Sequence, residues 1–189
     1  MRPSNDMFEL RTPRLALRDF VEADWAAIYA LSIEPEVTRY QTWLRLPGEA
    51  RAREWVRDAI DNNQIRPRST YNLAIALAST GRVVGWIGWG RPSDPAKGDY
   101  DFGYALHPDV WGQGYMTEAV AAMVGFIFET LGAQVVSGEC ASSNRGSARV
   151  MEKAGLVLTD RWYEPDDDTG SSQEMLRYTI RFADWASSR

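Results

Sequence analysis

Between residues 100 and 131 a strand-like run, a pair of glycines and a long apolar helix follow one another with no spacer. His107-Pro108 closes the strand, and Gly112 and Gly114 follow. Val120, Met123, Val124, Ile127 and Leu131 then recur at three and four, which predicts a helix over 117–131 with Gly132 at its C-cap. Glycines permit the tight turn. The first amides of the helix have no intrahelical acceptor and stand at the positive end of its dipole. Such a junction is a ready site for phosphate or diphosphate. A plain strand-to-helix turn would read the same way, because a lone Gly-x-Gly is a weak signal.

Two phosphate-binding alternatives fail on the residues. A P-loop needs a lysine after its last glycine, and the only lysines here are Lys97 and Lys153. A dinucleotide fingerprint ends in a third glycine after the first strand of a parallel unit. Here Thr117 holds that position, behind several strands that read as antiparallel.

The rest of the chain reads as one α+β domain. Its 189 residues fit the usual span of about 100–200 for a single domain. Residues 1–11 read as a loose polar lead. Strands are predicted over 15–18, 71–77, 83–89, 100–106, 134–140, 156–162 and 174–181, with residues 78–82 as a glycine-containing hairpin. Helices are predicted over 22–32, from 49 to about 63 with Ala52, Trp55, Val56, Ala59 and Ile60 on one stripe, and over 147–154. Pro35 closes the first of these or opens a further element.

Composition removes other classes. One histidine, His107, and one cysteine, Cys140, leave no disulfide and no metal cage, so no metal is expected. A net charge of −5 argues against nucleic acid and mildly favours cationic substrates. The apolar block 119–128 is shorter than the roughly 18 residues of a membrane span, so no membrane partner and a cytoplasmic location are expected.

The run Gly103-Tyr104-Ala105-Leu106-His107-Pro108-Asp109-Val110-Trp111-Gly112-Gln113-Gly114-Tyr115-Met116-Thr117-Glu118-Ala119 resembles the acetyl-CoA motif of the GCN5-related N-acetyltransferases (GNAT). It is most similar to the RimJ/RimL-like branch, which acetylates ribosomal-protein N-termini. A second block supports it with Asn144, Ser147 and Glu152-Lys153-x-Gly155-Leu156, and a third with Arg11-Thr12-x-Arg14-Leu15-x-Leu17-Arg18. The resemblance implies one domain over residues 8–182, with tails at 1–7 and 183–189. It implies a mixed, mainly antiparallel sheet of about six to seven strands flanked by helices and splayed at the coenzyme.

It further implies acetyl-CoA as cosubstrate and a primary amine as acceptor, either a protein N-terminus or a small molecule, attacked directly without an acyl-enzyme. The diphosphate would rest on amides of Gln113, Gly114, Met116 and Thr117, with Trp111, Gly112 and Tyr115 shaping the loop. The pantetheine arm would lie in the splay beside Leu106, His107 and Val110. Asn144 would bond the arm or the neighbouring backbone, and Ser147 would lie near the sulfur. A homodimer through sheet edges or helices is compatible with it.

One position departs from the family pattern. Many relatives place a tyrosine seven residues after the asparagine as general acid, and Met151 stands there. Ser147 is the nearest replacement, since its hydroxyl can donate a hydrogen bond. Base candidates are Asp101, Glu139 and, more remotely, Glu118, although a water chain with no dedicated base would also serve. Asp101, Gly103 and Ala105 share one strand face, and Phe102, Tyr104 and Leu106 the other.

His107 reads better as a strand-end polar residue than as a base, and Cys140 as a small buried residue. Trp25, Trp55, Trp86 and Trp89 read as core. Trp43, Trp162, Tyr163 and the acidic run 166–168 are candidates for the acceptor pocket. Met151 also keeps open a non-catalytic acyl-CoA binding or sensing module, with a nucleotide-phosphate binder as a more distant rival.

Overall fold

The computed structural model describes residues 7–93, 98–165, 170 and 172–189. The acidic run at 166–168 therefore lies outside the described residues. Eight strands form one open sheet: β1 (Glu9–Arg11), β2 (Leu15–Asp19), β3 (Thr70–Leu77), β4 (Val83–Gly90), β5 (Tyr100–Leu106), β6 (Val135–Ala141), β7 (Val157–Pro165) and β8 (Ser172–Arg181). Their spatial order is β1-β2-β3-β4-β5-β6-β8-β7. Every neighbouring pair is antiparallel except β5 and β6, which run parallel.

Seven of these strands fall where the sequence predicts them; β1 does not. It occupies part of the segment read as a loose lead, and its three residues are too few to show alternation. Its pairing with β2 defines it, with Leu10 opposite Leu17.

The helices are α1 (Trp25–Ser32), α2 (Pro35–Thr38), α3 (Glu49–Gln64), α4 (Tyr115–Glu129), α5 (Arg145–Lys153) and α6 (Phe182–Ser187). Pro35 opens α2, as its fixed φ and missing N–H suit a first helical position. α6 lies in the expected C-terminal tail, where Trp185 packs against Phe128 at 5.3 Å.

The two faces of the sheet hold separate cores. On one face α4 buries Met116, Ala119, Val120, Met123, Val124, Ile127 and Phe128 against Leu15, Leu73, Ile75 and Ile87. At roughly 1.5–3 kcal/mol per buried large side chain, this stripe outweighs any propensity difference between neighbouring positions. The helix begins and ends two residues earlier than its periodicity predicts, because Gly114 and not Thr117 makes the turn into it. On the other face α1 and α3 bury Ile28, Leu31, Val56 and Ala59 against Ala74, Trp86 and Ala105.

β5 and β6 pair only from Tyr100↔Val136 to Phe102↔Gly138 and then part. At the last of these pairs a Cβ at Gly138 would stand 2.6 Å from the Phe102 ring and 2.9 Å from Met151 Sδ, so glycine leaves room for that ring against β6. The gap opens immediately beyond this pair.

Candidate active site

The glycine loop sits at the mouth of this gap. Gly112 and Gly114 have φ values of 74° and 77°, a left-handed conformation that a side chain would strain. No side chain caps α4, and Glu118 N is the donor that reaches the Gly114 carbonyl. The amides of Tyr115, Met116 and Thr117 are thus first-turn donors with no intrahelical acceptor. A Cβ built at Gly112 meets nothing within 4 Å, and one at Gly114 meets only the Arg14 guanidinium, at 3.5 Å. These donors and the open space beside the two glycines suit an anion such as a diphosphate.

The loop is held from two sides. Trp111 donates from Nε1 to the Leu106 carbonyl at 2.8 Å while its ring stays half exposed. Arg14 Nη1 donates to the Gln113 carbonyl at 2.8 Å, and its guanidinium lies 4.6 Å from the Tyr115 ring centre. Val110 and Met116 are buried and anchor the loop's ends in the core. His107 caps the short turn Pro108–Val110, with Glu34 3.4 Å from its Nε2.

Glu118 ties the turn before β2 to the head of α4. It accepts from Thr12 Oγ1 at 2.6 Å, from Arg14 N at 2.9 Å and from Arg14 Nε at 2.6 Å. Burial alone would push its pKa up, but these donors outweigh it and hold the carboxyl below the ordinary glutamate range.

Three side chains from three elements meet over the gap: Tyr104 from β5, Cys140 from β6 and Ser147 from α5. Tyr104 Oη lies 2.8 Å from Ser147 Oγ and 3.2 Å from the Ser147 carbonyl. Burial drives the Tyr104 pKa well above its usual value, so the phenol keeps its proton. Burial also pushes the Cys140 thiol up to about 11, partly opposed by a hydrogen bond from Ser147. Asn144 caps α5 by accepting from Ser147 N at 3.1 Å, which fixes Ser147 in the first turn. Met151 is 1% exposed in the core and has no proton to offer.

Asp101 and Glu139 lie on the opposite face. Asp101 is level with Ser137, and Glu139 is level with Arg177, to which it is ion-paired at 3.0 Å. Arg177 also faces Asp160 at 3.4 Å and lies 5.2 Å from the Trp162 ring. Gln41, from the turn after α2, reaches the gap from this side. Its Nε2 donates to the Tyr104 carbonyl at 2.7 Å, and that oxygen can only accept, so the amide orientation is fixed. Gln41 Oε1 is left buried with no hydrogen-bond partner among the described residues. Trp43 is 55% exposed and edges against Trp86 at 5.4 Å, while Tyr163 is exposed on β7.

The structure thus brings Ser147 and Asn144 together at one side of the gap and the loop 106–117 at its mouth, with Asp101 and Glu139 on the far face. Reading the sequence missed Tyr104, Gln41 and the hold of Arg14 on the loop. Tyr104 had a signal, as a hydroxyl on an otherwise apolar strand face. Among the described residues no cluster of three or more His, Cys, Asp or Glu is arranged for a metal, and no helix is long and apolar enough to cross a membrane.

An uncapped helix head beside parted parallel strands is an arrangement that suits an acyl-coenzyme A transferase. Residues 14–157 match the acetyltransferase (GNAT) domain family, and the chain belongs to that family, with acetyl-CoA as acyl donor. It is 33% identical over 87 residues to FsC-acetyl coenzyme A-N(2)-transacetylase of Aspergillus fumigatus, a match covering 45% of this chain and 37% of that protein. The chain therefore spans well under two thirds of that relative. It is 25% identical over 156 residues to the uncharacterized N-acetyltransferase p20 of Bacillus licheniformis, covering 80% and 86% of the two chains. Among solved structures it resembles RimL, a ribosomal L7/L12 alpha-N-protein acetyltransferase in complex with coenzyme A, with a TM-score of 0.79, 16% identity and coverage of 92% and 98%.

Proposed function

We propose that this acetyltransferase acts on a cationic primary amine, a protein N-terminus or a small-molecule amine, which approaches over the face bearing Asp101 and Glu139. The observation that carries the reading is the uncapped head of α4 opening directly onto the gap between β5 and β6. In this reading the amides of Gln113, Gly114, Met116 and Thr117 hold the diphosphate, with Gly112, Tyr115 and Trp111 keeping the loop open. Leu106, His107 and Val110 line the arm. Bound there, the coenzyme supplies an activated acetyl thioester.

The residues then divide the work by face. Asp101, Glu139 and Asp160 place carboxylates on the acceptor side, where they draw an ammonium in and give its proton a path to water. The orphaned Gln41 Oε1 offers an acceptor for an amine N–H, and such a partner would remove a desolvation penalty of about 1–3 kcal/mol. Ser147, on the other side, faces the sulfur. Proximity of the held amine and thioester does most of the rest. The reading includes a cytoplasmic location, in keeping with acetyl-CoA as donor. It also includes a homodimer through the β7 edge, where Val157 and Tyr163 are exposed.

Met151 favours a second reading, an acyl-CoA sensor with no turnover. Thiol release separates the two. Protein and acetyl-CoA are incubated with a peptide bearing a free N-terminus, the same peptide blocked at its N-terminus, and spermidine. We expect release of coenzyme thiol and mass gain of one acetyl group with a free amine only. Binding of acetyl-CoA with no release for any amine would establish the sensor instead.

A further inference from the structure

The turn after α2 is bonded to both sides of the gap between β5 and β6. Gln41 Nε2 donates to the Tyr104 carbonyl on β5 at 2.7 Å, and Tyr40 Oη donates to the Ser143 carbonyl in the turn that follows β6 at 3.2 Å. A carbonyl can only accept, so donor and acceptor are defined in both bonds. The segment then makes one helical turn, Thr42–Leu44, and Leu44 at its end is fully buried. Trp43 is thus anchored on either side along the chain, yet more than half of it is exposed.

The residues beneath Trp43 connect it to the gap. Its ring edges against Trp86 with planes 73° apart, and Trp86 in turn lies 6.0 Å from Trp55. Trp86 Cη2 reaches over Gly103, where a Cβ would stand 3.4 Å from it. Gly103 is the first residue of β5 beyond the last pair with β6. An aromatic wall therefore stands on the sheet where the strands part, with Trp43 as its exposed member. Asp101 shares this face of β5 with Gly103 and Ala105.

We propose that Trp43 is a specificity-determining residue: it receives the apolar substituent next to the reacting nitrogen, so the preferred acceptor is a primary amine bearing an aromatic or large aliphatic group. The inference rests on the acetyl-transfer reading given above and narrows its acceptor. The two halves of such a molecule match the two parts of this face. Carboxylates at Asp101 and Glu139 attract the ammonium, and the indole takes up the apolar body. A tryptophan already held in place loses little freedom on binding and covers a large area. A small hydrophilic amine gains nothing from it.

The test compares acceptors that differ only in this substituent. One pair is a peptide beginning with phenylalanine and the same peptide beginning with alanine; the other is phenethylamine and ethylamine. For each, kcat/KM is measured in wild type, Trp43→Ala and Trp43→Phe. We expect wild type to favour the ring-bearing member of a pair by at least about tenfold. Trp43→Ala should lose that preference, and Trp43→Phe, which keeps a ring, should retain most of it. The pair in which the preference appears identifies its source, a protein N-terminus or a small molecule. No preference in either pair, or one that survives in Trp43→Ala, overturns the proposal. A second measurement needs no turnover: the same acceptors are titrated calorimetrically into protein saturated with coenzyme A. The same preference in affinity, lost in Trp43→Ala, supports the proposal, and equal or undetectable affinities in wild type overturn it. Absence of acetylation in wild type with the expected affinities overturns only the transferase reading.

Discussion

The Arg14 guanidinium and the Glu118 carboxylate meet at 2.6 Å although 104 positions separate them along the chain. Through this contact the turn before β2 reaches the head of α4, and the same guanidinium holds the Gln113 carbonyl. That carbonyl is thereby occupied, and the first-turn amides of α4 keep no intrahelical acceptor. Arg14→Ala should raise the dissociation constant of acetyl-CoA by about fivefold, near 1 kcal/mol of lost loop order. Calorimetry checks it, and an unchanged constant would show that the loop orders itself.

Glu118 also makes stability depend on pH. Its carboxyl is held below the ordinary glutamate value of 4.5, so it binds its proton less readily folded than unfolded. It therefore contributes stability above the unfolded value, and that contribution is lost as pH falls through the folded one. The melting temperature of wild type should exceed that of Glu118→Gln near neutrality, and the difference should shrink below pH 4.5. A difference that stays constant on acidification would contradict the assigned hydrogen bonds.

Cys140 should be inert near neutral pH. With its pKa pushed up to about 11, almost none of it is thiolate there. A disulfide-exchange reagent should label the unfolded chain fully before the native protein reacts detectably. Rapid native labelling would mean that Cys140 is not buried as described.

Gly138 leaves room for the Phe102 ring at the last pair of β5 and β6. Gly138→Ala would bring a methyl to 2.6 Å from the Phe102 ring, and overpacking of this kind costs about 1–3 kcal/mol. A lower urea midpoint with unchanged slope is the expected result. Equal stability would mean that Phe102 can move aside.

Much of this was legible along the chain because it is written in short-range patterns. The stripe of α4, the glycines before it and the hairpin after β3 each declare themselves within one window of sequence. β1 and α6 do not, because each is short and takes its shape from a partner, β2 in one case and Phe128 in the other. The site divides the same way. Gly112, Gly114, Asn144 and Ser147 stand in local motifs. Tyr104 reads as an apolar-face strand residue until folding sets it against Ser147, 43 positions away. Glu118 likewise reads as a helix-start acid until Thr12 and Arg14 close on it.

We propose that the amides at the head of α4 recognise the diphosphate of the coenzyme. Calorimetric titration of acetyl-CoA into wild type and Gly114→Val tests this most directly, since valine cannot hold the φ of 77° without strain of about 1–3 kcal/mol. Wild type should bind one acetyl-CoA per chain and the variant at least about tenfold more weakly, with its melting temperature little changed. Equal affinity in the two proteins would contradict the claim.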